Sequence, residues 1–304
     1  MKKGIAAILV LMLLFVPLYG CGKQDAGEGE ETLKIVSTIF PSYDWVREIL
    51  GEEADRAELS LLVKNGVDLH SYQPSVEDIV TVSDCDLFIY VGGESDGWVE
   101  DALDASDNPN QIAVNLLQVL GVDGDAEADE HVWLSLKNAK IFCAYIAEQL
   151  TSLDPERAQV YADNLDAYTE RLDALDADYQ TAVEESAGNP IIFGDRFPFQ
   201  YLFDDYGLAY FAAYAGCSAE AEVSFDTVIT LAEKLDALGL SYVFVSETSD
   251  KSLAQTIIQS TEAKNQEILV RDSMQSVTED QMEAGVTYLS IMDSNLAVLE
   301  SALG

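Results

Sequence analysis

The chain has 304 residues, 48% of them hydrophobic, and carries 16 Lys plus Arg against 55 Asp plus Glu, a formal net charge of −39. That length and apolar content are enough for a sizeable core, expected as two lobes. So negative a field repels phosphates and excludes nucleic acid as a partner. It also concentrates cations near the surface, although charge spread this widely reads first as a solubility feature.

In chain order, Lys2 and Lys3 precede an apolar run from Ile5 to Val16 that is too short and wrongly flanked for a spanning helix. Leu18-Tyr19-Gly20-Cys21 follows at once. A small residue directly before Cys, after an apolar stretch, resembles the lipobox of bacterial lipoproteins; the alternative is a generic signal peptide with an incidental Cys. Residues 1–20 are therefore expected to be a cleaved signal peptide, and Cys21 to carry a lipid that anchors the protein without spanning the membrane. Residues 21–32 form the tether, in which Gly22 to Thr32 (GKQDAGEGEET) is too polar and glycine-rich to pack. Cys85, Cys143 and Cys217 are far apart and lack any CxxC spacing. They read as small buried apolar residues, with one disulfide open to them outside the cytoplasm.

From Leu33 the pattern alternates. Leu33–Thr38, Ala57–Val63, Asp86–Val91 and Ile112–Asn115 read as strands, with helices at Pro41–Leu50, Ser75–Ser83 and Ala139–Leu150. The alternation then repeats. Strands are expected at Pro190–Phe193, Ala209–Ala213, Tyr242–Val245 and Glu267–Val270, and helices at Ser224–Leu238, Ser252–Ser260 and, closing the chain, Thr278–Leu303. Continuous apolar strands alternating with helices imply an α/β protein with two parallel four-stranded sheets, each flanked by helices.

Between the two sets lies Asp154 to Gly188. Tyr161, Leu165, Tyr168, Leu172, Leu175, Tyr179 and Ala182 step by four and three, which keeps one apolar stripe on a helix face. Asp154 suits the N-cap, Pro155 the first turn, and Gly188 before Pro190 the stop. Such a stripe fits a two-stranded coiled coil or a rigid spine lying along two lobes, and the flanking sequence favours the spine. The expected division is an N-terminal lobe at 33–153, the spine at 154–188 and a C-terminal lobe at 189–304.

Ligands of parallel sheets bind beyond the carboxyl ends of the strands, which places a site in the cleft between the lobes. The chain has only two histidines. His70, in GVDLHSYQP, and His131, in DEHVWLS, both fall on loops after first-lobe strands. Their placement makes metal binding a candidate without deciding it.

HSYQP followed by Asp78, then DEHVW, then the long spine resembles the zinc/manganese solute-binding lipoproteins of bacterial ABC transporters (cluster A-I, helix-spine class), a family with cell-adhesion members. RDSM at 271–274, YLSIM at 288–292 and Asn295-Leu296 are similar to that family's carboxyl end. The resemblance covers Leu33 to Leu303. It implies His70 and His131 as imidazole ligands from the first lobe and Asp272 as a carboxylate ligand from the second. One departure is plain: the family's third ligand, His or Glu after the first strand of the second lobe, is replaced by Gly194. Glu247, at the end of Tyr242–Ser246, is the first candidate to fill the gap, then Glu220, then Glu222, or water. The usual His-rich loop is replaced by Asp123–Glu130 (DGDAEADE), which reads as a solvated loop.

The resemblance implies a monomeric, extracytoplasmic, lipid-anchored receptor that passes its cargo to an ABC permease and its ATPase. Imidazole suits Zn(II), with Mn(II) the alternative since carboxylates also accept it. A metal-chelate receptor would need a basic or aromatic-lined cleft. A zinc hydrolase is disfavoured, because the chain has no HExxH and no obvious general base beside either histidine.

Overall fold

The computed structural model describes residues 32–106, 108–122, 129–214 and 223–303. Cys21 with the signal peptide and most of the tether, most of the acidic loop at 123–130, Cys217, Glu220 and Glu222 lie outside the described residues. The chain divides into residues 1–32 and residues 33–304, and both lobes belong to the second of these units.

The first lobe runs β1 (Leu33–Ser37), α1 (Phe40–Leu50), β2 (Ala57–Leu61), α2 (Val76–Ser83), β3 (Leu87–Tyr90), α3 (Val99–Asp104), β4 (Ile112–Asn115) and α4 (Leu116–Leu120). Its four strands are parallel, in the order β2-β1-β3-β4. Two long helices follow, α5 (Leu136–Leu153) and α6 (Ala158–Glu185). The second lobe repeats the plan: β5 (Ile191–Phe193), α7 (Gln200–Tyr206), β6 (Tyr210–Ala212), α8 (Phe225–Leu238), β7 (Tyr242–Ser246), α9 (Ser252–Ser260) and β8 (Glu267–Arg271). Its strands are parallel in the order β6-β5-β7-β8, so β7 lies between β5 and β8 as expected. Two further helices, α10 (Glu279–Glu283) and α11 (Tyr288–Leu303), end the chain.

The spine is shorter than its sequence pattern suggests. Pro155–Arg157 forms a 3₁₀ turn before α6, and the carboxylate of Asp154, instead of capping the helix backbone, accepts from the Arg157 guanidinium (2.5 Å) and the Tyr161 hydroxyl (3.1 Å). The 28 residues of α6 span about 42 Å at 1.5 Å each. Tyr161, Tyr168, Leu172, Leu175 and Tyr179 are buried, and Leu165 and Ala182 are partly buried against the same core. They pack on α1, α5 and α11 of the same chain, so the stripe is consumed internally and a coiled-coil partner is not required. Two polar anchors fix its register: Asn164 donates to the Ile49 carbonyl at 2.9 Å and Tyr179 to the Met292 carbonyl at 2.7 Å.

The single closing helix expected over 278–303 is two helices. Gly285 has φ +87°; its N–H bonds the Met282 carbonyl, and the Val286 N–H bonds the Gln281 carbonyl, both at 3.0 Å. That is a Schellman stop, which glycine permits at positive φ. The next helix, α11, starts at Tyr288, whose N–H is taken at 2.7 Å by the buried carboxylate of Asp44 on α1. Burial pushes Asp44 up to about 6, against the opposing pull of Arg47. The short α3, α4 and α7 have no counterpart among the expected elements, because five to seven residues carry too little periodicity to read. Cys85 and Cys143 are buried free thiols, in keeping with their apolar reading.

Leu172 is fully buried on the spine. Leu172→Ala is expected to lower unfolding free energy by about 2–5 kcal/mol in urea titrations. Leu172→Asp, which buries a charge, should cost more.

Candidate metal centre

Both histidines enter the cleft by the same local device. The Asp68 carboxylate accepts the backbone N–H of His70 at 2.9 Å, and the Asp129 carboxylate that of His131 at 2.8 Å. Each Asp-x-His therefore closes a turn that fixes the histidine backbone. The two rings then meet, with Nε2 to Nε2 at 3.1 Å and centroids 5.1 Å apart.

Their tautomers follow from the partners of the other nitrogens. His131 Nδ1 lies 2.7 Å from Asp129 Oδ1, a carboxylate that can only accept, so Nδ1 carries the hydrogen. His70 Nδ1 lies 2.9 Å from Ser95 Oγ. The single Ser95 O–H is committed to Glu130 Oε2, while the Ser95 N–H bonds Glu130 Oε1 at 2.9 Å. Ser95 Oγ therefore accepts, and His70 Nδ1 also carries its hydrogen. The two Nε2 atoms then face each other at 3.1 Å, a spacing that two imidazole ligands of one metal ion can share. A tetrahedral Zn(II) with Zn–N bonds of about 2.0–2.1 Å would hold two nitrogens about 3.3–3.4 Å apart, close to the observed separation. The hydrogen-bonded acids behind the rings are the usual outer support of a metal-binding imidazole. Burial, then the neighbouring His131, lowers the pKa of His70; Arg196 of the second lobe acts in the same direction. The imidazole is thus kept neutral, the form that binds metal.

Gly93, at φ +80°, lets Glu130 come this close: a Cβ there would meet Glu130 Cγ at 2.8 Å. Gly194 has a different reason for its size. A Cβ at 194 would meet Val243 Cγ1 at 2.8 Å and Ala254 at 3.0 Å, so the position faces the β7–α9 core.

The second lobe supplies a carboxylate pair. Asp272 follows β8 and orients one oxygen on the Met274 N–H at 2.7 Å. Burial first, and the adjacent Glu247 second, raise Asp272 to about 6. Glu247, after β7, accepts from the Ser273 N–H (2.9 Å), the Ser273 hydroxyl (2.8 Å) and the Ser276 hydroxyl (3.3 Å). The structure thus brings His70 to His131 and Glu247 to Asp272. It does not gather three of these four groups around one point: among the described residues no cluster of three metal-ligating side chains is assembled. Sequence reasoning misses Asp68, Asp129, Glu130 and Ser95 as functional residues, although the repeated Asp-x-His at 68–70 and 129–131 is a readable signal.

Two α/β lobes joined through one long helix, with imidazoles and carboxylates at the facing strand ends, define a solute-binding protein of the helical-spine class. The chain belongs to the family described as "ZnuA: Zinc-uptake complex component A periplasmic", which matches residues 35–302. It is 29% identical to the zinc-binding lipoprotein AdcA of Streptococcus pneumoniae over 99% of this chain, and spans 61% of that relative's length. It is 31% identical to the manganese ABC transporter substrate-binding lipoprotein PsaA of Streptococcus anginosus, over 99% of both chains. Among solved structures, the metal-dependent lipoprotein YcdH of Bacillus subtilis superposes with a TM-score of 0.76 at 26% identity, covering 89% of this chain and 99% of that one. The Zn(II)-bound ZnuA-like domain of AdcA superposes with a TM-score of 0.73 at 29% identity, covering 90% and 99%.

The raised Asp272 has a stability signature. A carboxyl that titrates near 6 when folded and near 3.9 when unfolded makes the folded state hold the extra proton. Its ionisation then costs stability as pH rises from about 4 to 6. With chelator present, Asp272→Asn should gain on the parent across that interval, by no more than about 3 kcal/mol at pH 7 and by little at pH 4. Thermal melts of both proteins at the two pH values check this.

Proposed function

We propose that the chain captures one Zn(II) in the interlobe cleft and delivers it to an ABC importer, a permease with its ATPase. The ion is cargo. The observation that carries this reading is the pair of Nε2 atoms 3.1 Å apart, each imidazole held from behind at Nδ1. His70 and His131 bind through neutral nitrogens, Asp272 adds charge from the opposite lobe, and Glu247 completes the set in place of a ligand at Gly194. Ligands drawn from both lobes close the cleft around the ion, a shape a permease can recognise.

Zinc is preferred because two imidazoles favour it over manganese in intrinsic affinity. Mn(II) is the second reading, supported by the identity to the manganese-binding relative. Hydrolysis is not part of the proposal: Asp129 and Glu130, the acids beside the imidazoles, are taken up by His131 and Ser95. The protein works as a monomer outside the cytoplasm, held to the membrane by a lipid on Cys21. Cys21→Ser is expected to leave it unprocessed or released; unchanged processing with unchanged membrane association would contradict the anchor.

Calorimetry on the soluble form from Gly22 onward is expected to give one Zn(II) per chain, with affinity strongly weakened by His70→Ala and by His131→Ala. Glu247→Ala should weaken it more than Glu220→Ala; the reverse order would move the fourth ligand to Glu220 and leave the function intact. Because protons compete for imidazole, affinity should fall below about pH 6.5. The double variant His70→Ala/His131→Ala titrating like the parent would refute the metal site.

A further inference from the structure

The loop that carries Asp272 has every backbone polar group from Asp272 N to Met274 N spoken for. Asn295 on α11 brackets Asp272, accepting its N–H at 2.8 Å and donating to its carbonyl at 2.7 Å. Glu247 takes the Ser273 N–H, and Asp272 itself takes the Met274 N–H. The remaining group, the Ser273 carbonyl, accepts at 2.9 Å from the indole N–H of Trp133. Met274 is buried in the left-handed region, φ +62°, where an L side chain rests only if its surroundings hold it.

Of these clamps only Trp133 comes from the first lobe. It lies two residues after His131, their rings 5.1 Å apart, and it is fully buried. Its own carbonyl is pinned at 2.8 Å by the Tyr288 hydroxyl, from the same α11 that carries Asn295 seven residues on. A buried chain of bonds therefore runs from the imidazole loop through Trp133 to the carboxylate loop, with α11 bracing both ends.

We propose that Trp133 is a positioning residue for the metal, setting the span between the imidazole pair and the Asp272–Glu247 pair through its bond to Ser273. This rests on the zinc reading of the cleft. It assigns the indole N–H a function separate from the packing of its ring: without that donor the carboxylate loop loses its direct hydrogen bond to the His131 loop, and the four ligands must be brought together against a wider spread of spans.

Trp133→Phe keeps an aromatic ring and removes the donor. On the full chain, calorimetry is expected to show zinc affinity weakened about 10–100-fold, the range for loss of an outer-shell partner. Co(II) substituted for zinc should lose the intense visible absorption of a four-coordinate site relative to the parent. Leu172→Ala, in the spine, serves as the control that lowers thermal stability with parental affinity and parental Co(II) absorption. A Trp133→Phe protein that melts lower yet matches the parent in both readouts has lost only packing, and the inference is overturned. A parent that takes up no zinc overturns the zinc reading and this inference with it. If Trp133→Phe does not fold, replacing the indole with the isosteric benzothiophene, which lacks the N–H, reads the same two quantities with the shape preserved.

Discussion

Two imidazoles with their Nε2 atoms 3.1 Å apart and both Nδ1 hydrogens committed elsewhere are the constraint on which the cleft depends. Asp129 and the Ser95–Glu130 couple hold the Nδ1 side of each ring and turn the two Nε2 atoms toward each other. Their separation is close to that of two imidazole ligands on one tetrahedral ion. The surrounding sequence serves that geometry: the Asp-x-His turns hold the backbones, and Gly93 removes the Cβ that would push Glu130 away from Ser95.

The same economy governs the spacing of the lobes. α6 packs its apolar stripe on α1, α5 and α11, so one core draws residues from both lobes, while Ile192, Leu235, Val243 and Ile257 belong to a second, smaller cluster within the C-terminal lobe. α11 returns from the second lobe to be capped by Asp44 of the first, and on the way it meets Trp133 through Tyr288 and Asp272 through Asn295. Burying the Asp44 carboxylate costs enough to lift its pKa to about 6, and it is retained where a helix N-terminus and Arg47 offset that cost. In the second lobe the fully buried Arg271, next in sequence to Asp272, lies over the faces of Phe199 and Phe203, at 5.0 and 5.6 Å.

Much of this is legible in the sequence. The four-three stepping from Tyr161 to Ala182 is a long periodic signal, and the buried parallel strands, Leu87–Tyr90 above all, are continuous apolar runs. The Schellman stop at Gly285 is also in view, but a further helical pattern from Tyr288 masks the break. The site is legible residue by residue and not as an arrangement. His70 and His131 stand 61 positions apart, and nothing in their spacing says that their rings touch. The support for the Asp272 loop is harder still to read, because Asn295 reaches Asp272 while Glu247 and Trp133 reach Ser273, from three separate elements. Gly194 reads in sequence as a missing ligand; its packing against Val243 and Ala254 shows a position with no room for a side chain.

The most direct test of a zinc ion held by His70, His131 and a second-lobe carboxylate is X-ray absorption at the zinc K-edge of the stoichiometrically loaded protein. Two imidazole nitrogens and at least one carboxylate oxygen at about 2.0–2.1 Å are the expected shell. A shell without imidazole scattering, or one with sulfur at about 2.3 Å, would contradict it.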